Sequence, residues 1–128
     1  MKCFFLILFI IIGFTSSAQL KEIEIADVSK DVGDSVHVVA QITGVRQLTN
    51  SKGQPTFINL GKPYPNHLLT LVIWEDIRKL ITTELSEDKL KGGIVIVTGV
   101  IETFKGKPQI VIENTKQLKF VEAKKESQ

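Results

Sequence analysis

The stretches VHVVAQI (residues 36–42) and VIVTGVI (residues 95–101) share one pattern of alternating, largely β-branched residues. Each is followed by a Lys-Gly-X-Pro turn and a second run, KGQPTF at residues 52–57 and KGKPQI at residues 105–110. Alternating β-branched residues fit a pleated surface, and a glycine close to a proline marks a chain reversal. The sequence therefore predicts two β-hairpins.

Working outward from these hairpins, the alternation predicts five main strands and a short edge strand near the end of the chain. Between the third and fourth strands, Ile77, Leu80, Ile81 and Leu85 have the spacing of one apolar helix face, which predicts a capping helix. The predicted strands cover residues 35–47, 56–60, 69–74, 94–104 and 107–113, the helix covers about 76–85, and the edge strand covers 118–121.

The order of three strands, a helix and two strands is that of the OB-fold, a five-stranded Greek-key barrel. The predicted fold class is therefore all-β. The sequence resembles single-domain OB modules related to anticodon-binding and other nucleic-acid-binding OB domains, of the kind found in exported bacterial proteins. This resemblance implies nucleic-acid binding, although one fold serves many functions. It rests mainly on TFINLG (residues 56–61), KPYPN (62–66), VIW (72–74), VTG (97–99) and GKPQI (106–110).

The first residues predict a signal peptide, because Lys2 precedes an apolar run at residues 3–14 and the small residues of TSSA at 15–18. We expect cleavage after Ala18, no membrane span in the mature chain, and delivery to the periplasm or the medium. The predicted organisation is a signal peptide (1–18), a lead-in (19–34), the OB-fold domain (35–122) and a polar tail (123–128). Cleavage would remove the only cysteine, Cys3.

Ligands of OB barrels lie across the second and third strands, between the loops that join strands one to two and four to five. Residues 35–74 contain no Asp or Glu, whereas lysines and one arginine occur there and in the second Lys-Gly turn. A cationic groove of this kind attracts phosphate. The predicted nucleic-acid-binding residues are Arg46, Lys52, Phe57, Asn59, Lys62, Tyr64, Lys105 and Lys107.

Alternation within TFINL places Ile58 and Leu60 in the core and leaves Phe57 and Asn59 facing the groove. Tyr64, between two prolines, is interpreted either as a stacking platform or as a residue packed on the barrel rim. We expect Trp74 to pack in the protein interior, because large aromatic side chains are mostly buried. Phe104 and Phe120 are expected in the core or on edge strands.

No catalytic pattern emerges, and neither a cofactor nor a metal is predicted. The two histidines, His37 and His67, are far apart in sequence and have no local partner at metal-ligand spacing. OB-fold nucleases use clustered acids and arginines, whereas the barrel stretch of this chain lacks acids. Glu84, Glu87 and Asp88 are interpreted as solvated surface.

The predicted function is that of an exported, non-enzymatic OB module that binds single-stranded DNA or RNA with low specificity. The alternative is an extracytoplasmic module that binds a protein or a small solute. The surroundings of Tyr64 distinguish the two, since a basic trough favours nucleic acid and an apolar patch without cations favours a protein.

Overall fold

The computed structural model describes residues 20–121, in which eight strands form one curved sheet. The strands are β1 (Lys21–Ile23), β2 (Ser35–Gln47), β3 (Thr56–Leu60), β4 (Leu69–Ile73), β5 (Ile94–Val100), β6 (Glu102–Phe104), β7 (Lys107–Val111) and β8 (Leu118–Val121). The helices are α1 (Glu75–Arg78), α2 (Glu87–Leu90) and 3₁₀ turns at Ile25–Lys30 and Thr115–Gln117. The strand order along the sheet is β6-β7-β4-β3-β2-β5-β8, with β1 parallel to the start of β2.

The long strand β2 belongs to both halves of the sheet. Its first half pairs with β5 and its second half with β3. The register shifts between Ile42 and Gly44, so Thr43 is the extra residue of a β-bulge and the strand can bend there. Val36, Val38, Ala40 and Ile42, the alternate residues of this strand, are buried in the core.

The sheet curls into a partly open barrel because β5 and β6 are two parts of one bent run. β6 pairs with β7, which pairs in parallel with β4, so the bent run from β5 to β6 connects the two halves of the sheet. At the bend, the Ile101 N–H donates to the Asp34 carbonyl at 3.1 Å, and the Gly33 N–H donates to the Ile101 carbonyl at 2.7 Å.

The strand count differs from the five that we predicted. The predicted fourth strand (94–104) is divided, because the peptide groups of Ile101 bond to the lead-in segment instead of continuing a ladder. The edge strands add two more to the five main strands: β8 has the bounds predicted for the short edge strand (118–121), and β1 was not predicted as a separate strand. The bounds predicted for β2 and β3 are confirmed, whereas β4 and β7 end at Ile73 and Val111, one and two residues early.

The predicted single capping helix over about 76–85 is wrong. Two four-residue helices, α1 and α2, occupy this connection. Ile77, Ile81 and Leu85 pack partly against the core, but Leu80 is 66% exposed. The adjacent residues Thr82 and Thr83 are β-branched and disfavour a continuous helix. The chain starts a new helix at Ser86, whose hydroxyl accepts from the Lys89 N–H at 3.3 Å.

One hydrophobic core holds the described residues together. Val28 of the first 3₁₀ turn and Leu90 of α2 are buried in the same cluster as the strand residues. The members with the largest fully buried side chains are Ile42, Ile58, Leu60, Leu69, Leu71, Ile73, Ile101, Ile110 and Ile112. The core therefore includes part of the lead-in as well as the barrel.

The side chain of Gln117 joins the last 3₁₀ turn to β5. Its Nε2 donates to the Thr98 carbonyl at 2.9 Å, and its Oε1 accepts from the N–H groups of Glu113 and Asn114 at 2.7 and 2.9 Å. Beside it, Gly99 lies so close to Ile110 that a Cβ atom would stand 2.6 Å from Ile110 Cγ2. The absence of a side chain at Gly99 thus permits this packing.

The predicted signal peptide (1–18) and polar tail (123–128) lie outside the described residues and remain predictions. Among residues 20–121, no helix combines the length and the hydropathy that a membrane crossing requires.

Candidate nucleic-acid interface

An open trough of about 850 Å³ runs across the outer face of strands β2, β3, β4 and β7. The loop at residues 61–68, the hairpin between β6 and β7, and α2 contribute to its walls. The residues that line it are Thr43, Gly44, Val45, Arg46, Phe57, Asn59, Pro63, Tyr64, His67, Thr70, Glu87, Lys91, Phe104, Lys105, Lys107, Pro108 and Gln109.

The floor of the trough is a polar row that crosses three neighbouring strands. Asn59 pairs in register with Thr70, and Thr70 with Gln109. Directly opposed residues point to the same face of a sheet, so the three side chains lie side by side. The Thr70 hydroxyl donates to Asn59 Oδ1 at 3.3 Å. These neutral groups can exchange hydrogen bonds with a ligand that lies across the strands.

The bulge in β2 is attached to the loop that forms one wall. The hydroxyl of Thr43 lies 3.0 Å from the Asn59 carbonyl oxygen and 2.8 Å from that of Lys62, within hydrogen-bond distance of both. The bulge therefore helps to fix the start of the loop that carries Tyr64 and His67.

Tyr64 is the most exposed aromatic side chain of the trough, with 70% of its surface accessible. Its ring is stacked on the ring of His67, with centroids 5.6 Å apart and planes at 12°. Lys107 Nζ lies 6.0 Å from the centre of the Tyr64 ring and donates to the Pro65 carbonyl at 3.3 Å. An exposed ring thus lies next to a cation.

A second aromatic ring and cation come from the hairpin between β6 and β7. Lys105 and Gly106 both have positive φ, 51° and 78°, as a two-residue type I′ turn requires. This turn places Phe104 opposite Lys107 in the register. Phe104 is 59% exposed, and Lys105 Nζ lies 5.4 Å from the centre of its ring.

The trough contains four cationic side chains and one carboxylate. Arg46, Lys105 and Lys107 form no ion pair with any carboxylate between residues 20 and 121, whereas Lys91 pairs with Glu87 at 3.4 Å. Glu87 had been assigned to solvated surface; it is exposed, but it also lines the trough. The surface is therefore cationic, although not free of acids.

His67 lines the trough, although it was not among the predicted site residues. Partial burial, and then the nearby charge of Lys107, lower its pKa below the ordinary value of 6.5. Its Nδ1 atom is buried and has no hydrogen-bond partner among the described residues. The neutral ring is thus the favoured form beside Tyr64.

Six of the eight predicted site residues lie together in the trough: Arg46, Phe57, Asn59, Tyr64, Lys105 and Lys107. Lys52 and Lys62 are exposed on the loops before β3 and after it, outside the trough lining. Thr70 and Gln109 were missed, although the alternation of β4 and β7 would have placed both on the face opposite the core. Phe104, which we expected in the core or on an edge strand, is on the edge strand β6.

A separate groove of about 670 Å³ has the opposite charge. It is lined by the acidic side chains of the lead-in, Glu22, Glu24, Asp27 and Asp31, with Lys30 and His37. Between residues 20 and 121, no three His, Cys, Asp or Glu side chains are grouped so that they could hold a metal ion.

The sequence matches no protein-family model and no curated protein. Among solved structures, yeast Stn1 and Ten1 align with a TM-score of 0.59 and 9% identity, over 82% of this chain and 64% of that chain. The OB domain of MM0293 from Methanosarcina mazei aligns with a TM-score of 0.55 and 13% identity, over 83% and 86%. The aspartyl tRNA synthetase from Entamoeba histolytica aligns with a TM-score of 0.56 and 18% identity, over 80% and 21%.

These similarities define the fold: the chain is an OB domain. It corresponds to nearly the whole of the archaeal OB domain, but it spans less than two thirds of the matched Stn1–Ten1 chain and about a fifth of the synthetase. The trough lies on the strand face that OB domains use to bind oligonucleotides and oligosaccharides, and one of its walls is the β6–β7 hairpin, which corresponds to the loop between the fourth and fifth barrel strands.

Proposed function

We propose that this OB domain binds single-stranded nucleic acid in the trough, with little sequence preference. One observation carries the proposal: exposed aromatic rings and unpaired cations alternate along the same open face. Tyr64 lies beside Lys107 and Phe104 beside Lys105, at 6.0 and 5.4 Å from ammonium to ring centre. Proteins that bind single strands combine stacking rings with a positive groove in this way.

Each group has a distinct role in this proposal. Lys105, Lys107 and Arg46 attract the phosphates, and their binding releases counterions from the strand. Tyr64 and Phe104 stack on bases, and a stack of this kind is worth about 1–3 kcal/mol per base. The polar row under them donates and accepts hydrogen bonds at base edges, for which Asn59 is suitably placed.

The charge distribution supports the same assignment. The acidic side chains of the lead-in line a different groove, so the trough is the attractive surface for a polyanion. The comparisons support the fold on which the proposal relies, and one aligned protein is by its name a tRNA synthetase.

The alternative is a protein or small-solute ligand in the same trough. The exposed rings of Tyr64 and Phe104 favour it, since apolar surface also binds proteins. Against it, a lysine lies beside each ring, so the site is not an apolar patch without cations. We therefore prefer nucleic acid, in a binding role and not a catalytic one.

The test is a fluorescence anisotropy titration with a dye-labelled single-stranded oligonucleotide at low salt. We expect binding by the native chain and at least tenfold weaker binding by the double variant Lys105→Gln/Lys107→Gln. The matched control is Lys116→Gln/Lys119→Gln, which removes the same charge from exposed positions outside the trough. No binding at low salt, or equal losses in both variants, would exclude the proposed site.

We propose further that the protein is exported, on the grounds of the charged, apolar and small-residue sequence of residues 1–18. Cell fractionation followed by mass spectrometry of the protein's amino terminus tests this. A mature chain that begins at Gln19 in the periplasm or the medium is the expected result, and an intact chain in the cytoplasm is the opposite one.

A further inference from the structure

We propose that the binding surface continues beyond the trough to Trp74 and Lys52, where the indole stacks on a base of a longer strand. This inference rests on the proposed function. It assigns a binding role to an aromatic residue that the sequence interpretation placed in the protein interior.

Trp74 lies on the same side of its strand as the floor of the trough. In β4, Leu69, Leu71 and Ile73 are fully buried, whereas Thr70 faces the trough. Trp74 follows Ile73 in an extended conformation (φ −74°, ψ 160°), so it continues the side of Thr70. Four residues of a strand span about 13 Å, which separates the two positions along the surface.

The indole is supported from behind by the first Lys-Gly turn. A Cβ atom on Gly53 would lie 2.8 Å from Trp74 Cε3, which means that the ring packs on the bare backbone of this glycine. The Glu75 N–H donates to the Gly53 carbonyl at 3.1 Å and ties the loop to the same place. Since 43% of the Trp74 surface is still exposed, the ring is both fixed and accessible.

Cations and acids both lie near the indole, with Lys52 and Arg78 on one side of the balance and Glu75 and Asp76 on the other. Lys52 precedes Gly53 and forms no ion pair within residues 20–121, so its ammonium is available. Arg78 is held beside the loop by a 3.5 Å hydrogen bond from Nη2 to Gln54 Oε1.

The acids of this region are only partly compensated. Glu75 pairs with Lys79 at 3.2 Å, while Asp76 accepts from the Ile77 N–H and is exposed. The proposed extension gives a role to Lys52, which we predicted to bind phosphate and which lies outside the trough.

Phe57 lies between the trough and Trp74. It is half-buried, lines the trough and pairs across the strands with Val72, the buried residue between Thr70 and Trp74 on β4. A short oligonucleotide can therefore occupy the trough alone, and a longer one is needed to reach Trp74. OB domains bind about 4–16 nucleotides each, so both situations are accessible to experiment.

The experiment uses the fact that the chain has one tryptophan, so fluorescence excited at the red edge of indole absorption, where Tyr64 does not absorb, reports on Trp74 alone. Unlabelled single strands of about 4 and about 12 nucleotides, lengths within the range of OB-domain sites, are titrated into the native protein. We expect the 12-mer to quench the emission and the 4-mer to leave it unchanged, while labelled versions of both bind by anisotropy.

Variants of the indole position supply the second readout. From the value of one stack, Trp74→Ala should weaken binding of the 12-mer about fivefold to a hundredfold and leave the 4-mer unaffected. Trp74→Phe keeps a stacking ring and should stay within about threefold of the native protein. The control is Leu80→Ala, which removes an exposed apolar side chain close to Trp74 in sequence and should change neither affinity.

The outcomes separate this inference from the proposed function. If the trough variants lose binding while Trp74→Ala binds the 12-mer like the native protein, the extension is wrong and the trough function stands. If no strand binds the native protein, both fall. Equal losses in Trp74→Ala and Leu80→Ala would point instead to a protein-type apolar surface and would also overturn the inference.

Discussion

Two strand glycines, Gly99 and Gly44, should respond in opposite ways to the same substitution by alanine. At Gly99, the new Cβ would lie 2.6 Å from Ile110 Cγ2 and 3.0 Å from Gln117 Nε2. Ile110 is fully buried and cannot move away freely. Gln117 is held by its hydrogen bonds to three backbone groups, so it resists displacement as well.

The cost of Gly99→Ala follows from these contacts. Overpacking a core usually costs about 1–3 kcal/mol, and weakening one hydrogen bond of Gln117 adds about 0.5–1.5 kcal/mol. We therefore expect the free energy of unfolding to fall by about 2–4 kcal/mol, which for a domain of this size lowers the Tm by roughly 10–25 °C.

Gly44→Ala is the matched control. The nearest atom to its new Cβ is Asn59 Nδ2 at 3.9 Å, an ordinary contact, and the backbone is outside the left-handed region. Alanine restricts the unfolded chain, so this variant should gain about 0.4–1 kcal/mol. Urea unfolding followed by circular dichroism measures both changes. A loss below about 0.5 kcal/mol for Gly99→Ala, or an equal loss in both variants, would refute the packing argument.

Three further predictions concern charge, pH and hydrogen bonding. The slope of log affinity against log salt should become shallower by about 1.4 in Lys105→Gln/Lys107→Gln, because each phosphate contact to a single strand contributes about 0.7; an anisotropy titration over a salt series measures it. His67 has a lowered pKa, so the unfolded chain takes up its proton first as the pH falls below 6.5, and the free energy of unfolding should decrease there. His67→Gln should remove that part of the pH dependence in urea unfolding, and identical pH profiles would contradict this. Gln117→Ala should cost about 1–3 kcal/mol in thermal unfolding, because it removes one hydrogen bond to the partly buried Thr98 carbonyl and two to exposed N–H groups.

The alternation of β-branched and polar residues was sufficient to predict the main strands. Ser35–Gln47 and Thr56–Leu60 have the predicted bounds because each has one apolar face that only one register can bury. The division at Ile101 could not be predicted this way. It depends on hydrogen bonds to Gly33 and Asp34, some 70 residues earlier in the chain, and no local pattern encodes them.

The prediction of a single capping helix was wrong for a related reason. The spacing of the four apolar residues in this segment is helical. In the structure, however, Ile77, Ile81 and Leu85 pack against the core, whereas Leu80 is exposed to solvent. Serine is a typical helix N-cap residue, so Ser86 was a local sequence signal for the start of a second helix.

The trough was predicted in outline and missed in detail. The residues of TFINL and of the second Lys-Gly turn correctly indicated one strand and one loop of the trough, whereas the first Lys-Gly turn lies outside its lining. The sequence could not show that Glu87 lies in the wall or that Lys62 points elsewhere, because these depend on the path of long connections. The prediction that Trp74 lies in the interior was wrong. Large aromatic side chains are mostly buried, but this ring packs on the backbone of Gly53 in a loop and remains 43% exposed.

The two backbone hydrogen bonds that join Ile101 to Gly33 and Asp34, in the segment before β2, limit how far this domain can be shortened at its amino-terminal side. A polypeptide shortened to begin at Ser35 would lose Val28 from the hydrophobic cluster and strip Ile101 of both backbone partners. Transplanting the barrel into another protein would therefore require the preceding residues back to Lys21, where β1 begins. The smallest autonomous folding unit is consequently longer than the barrel strands themselves.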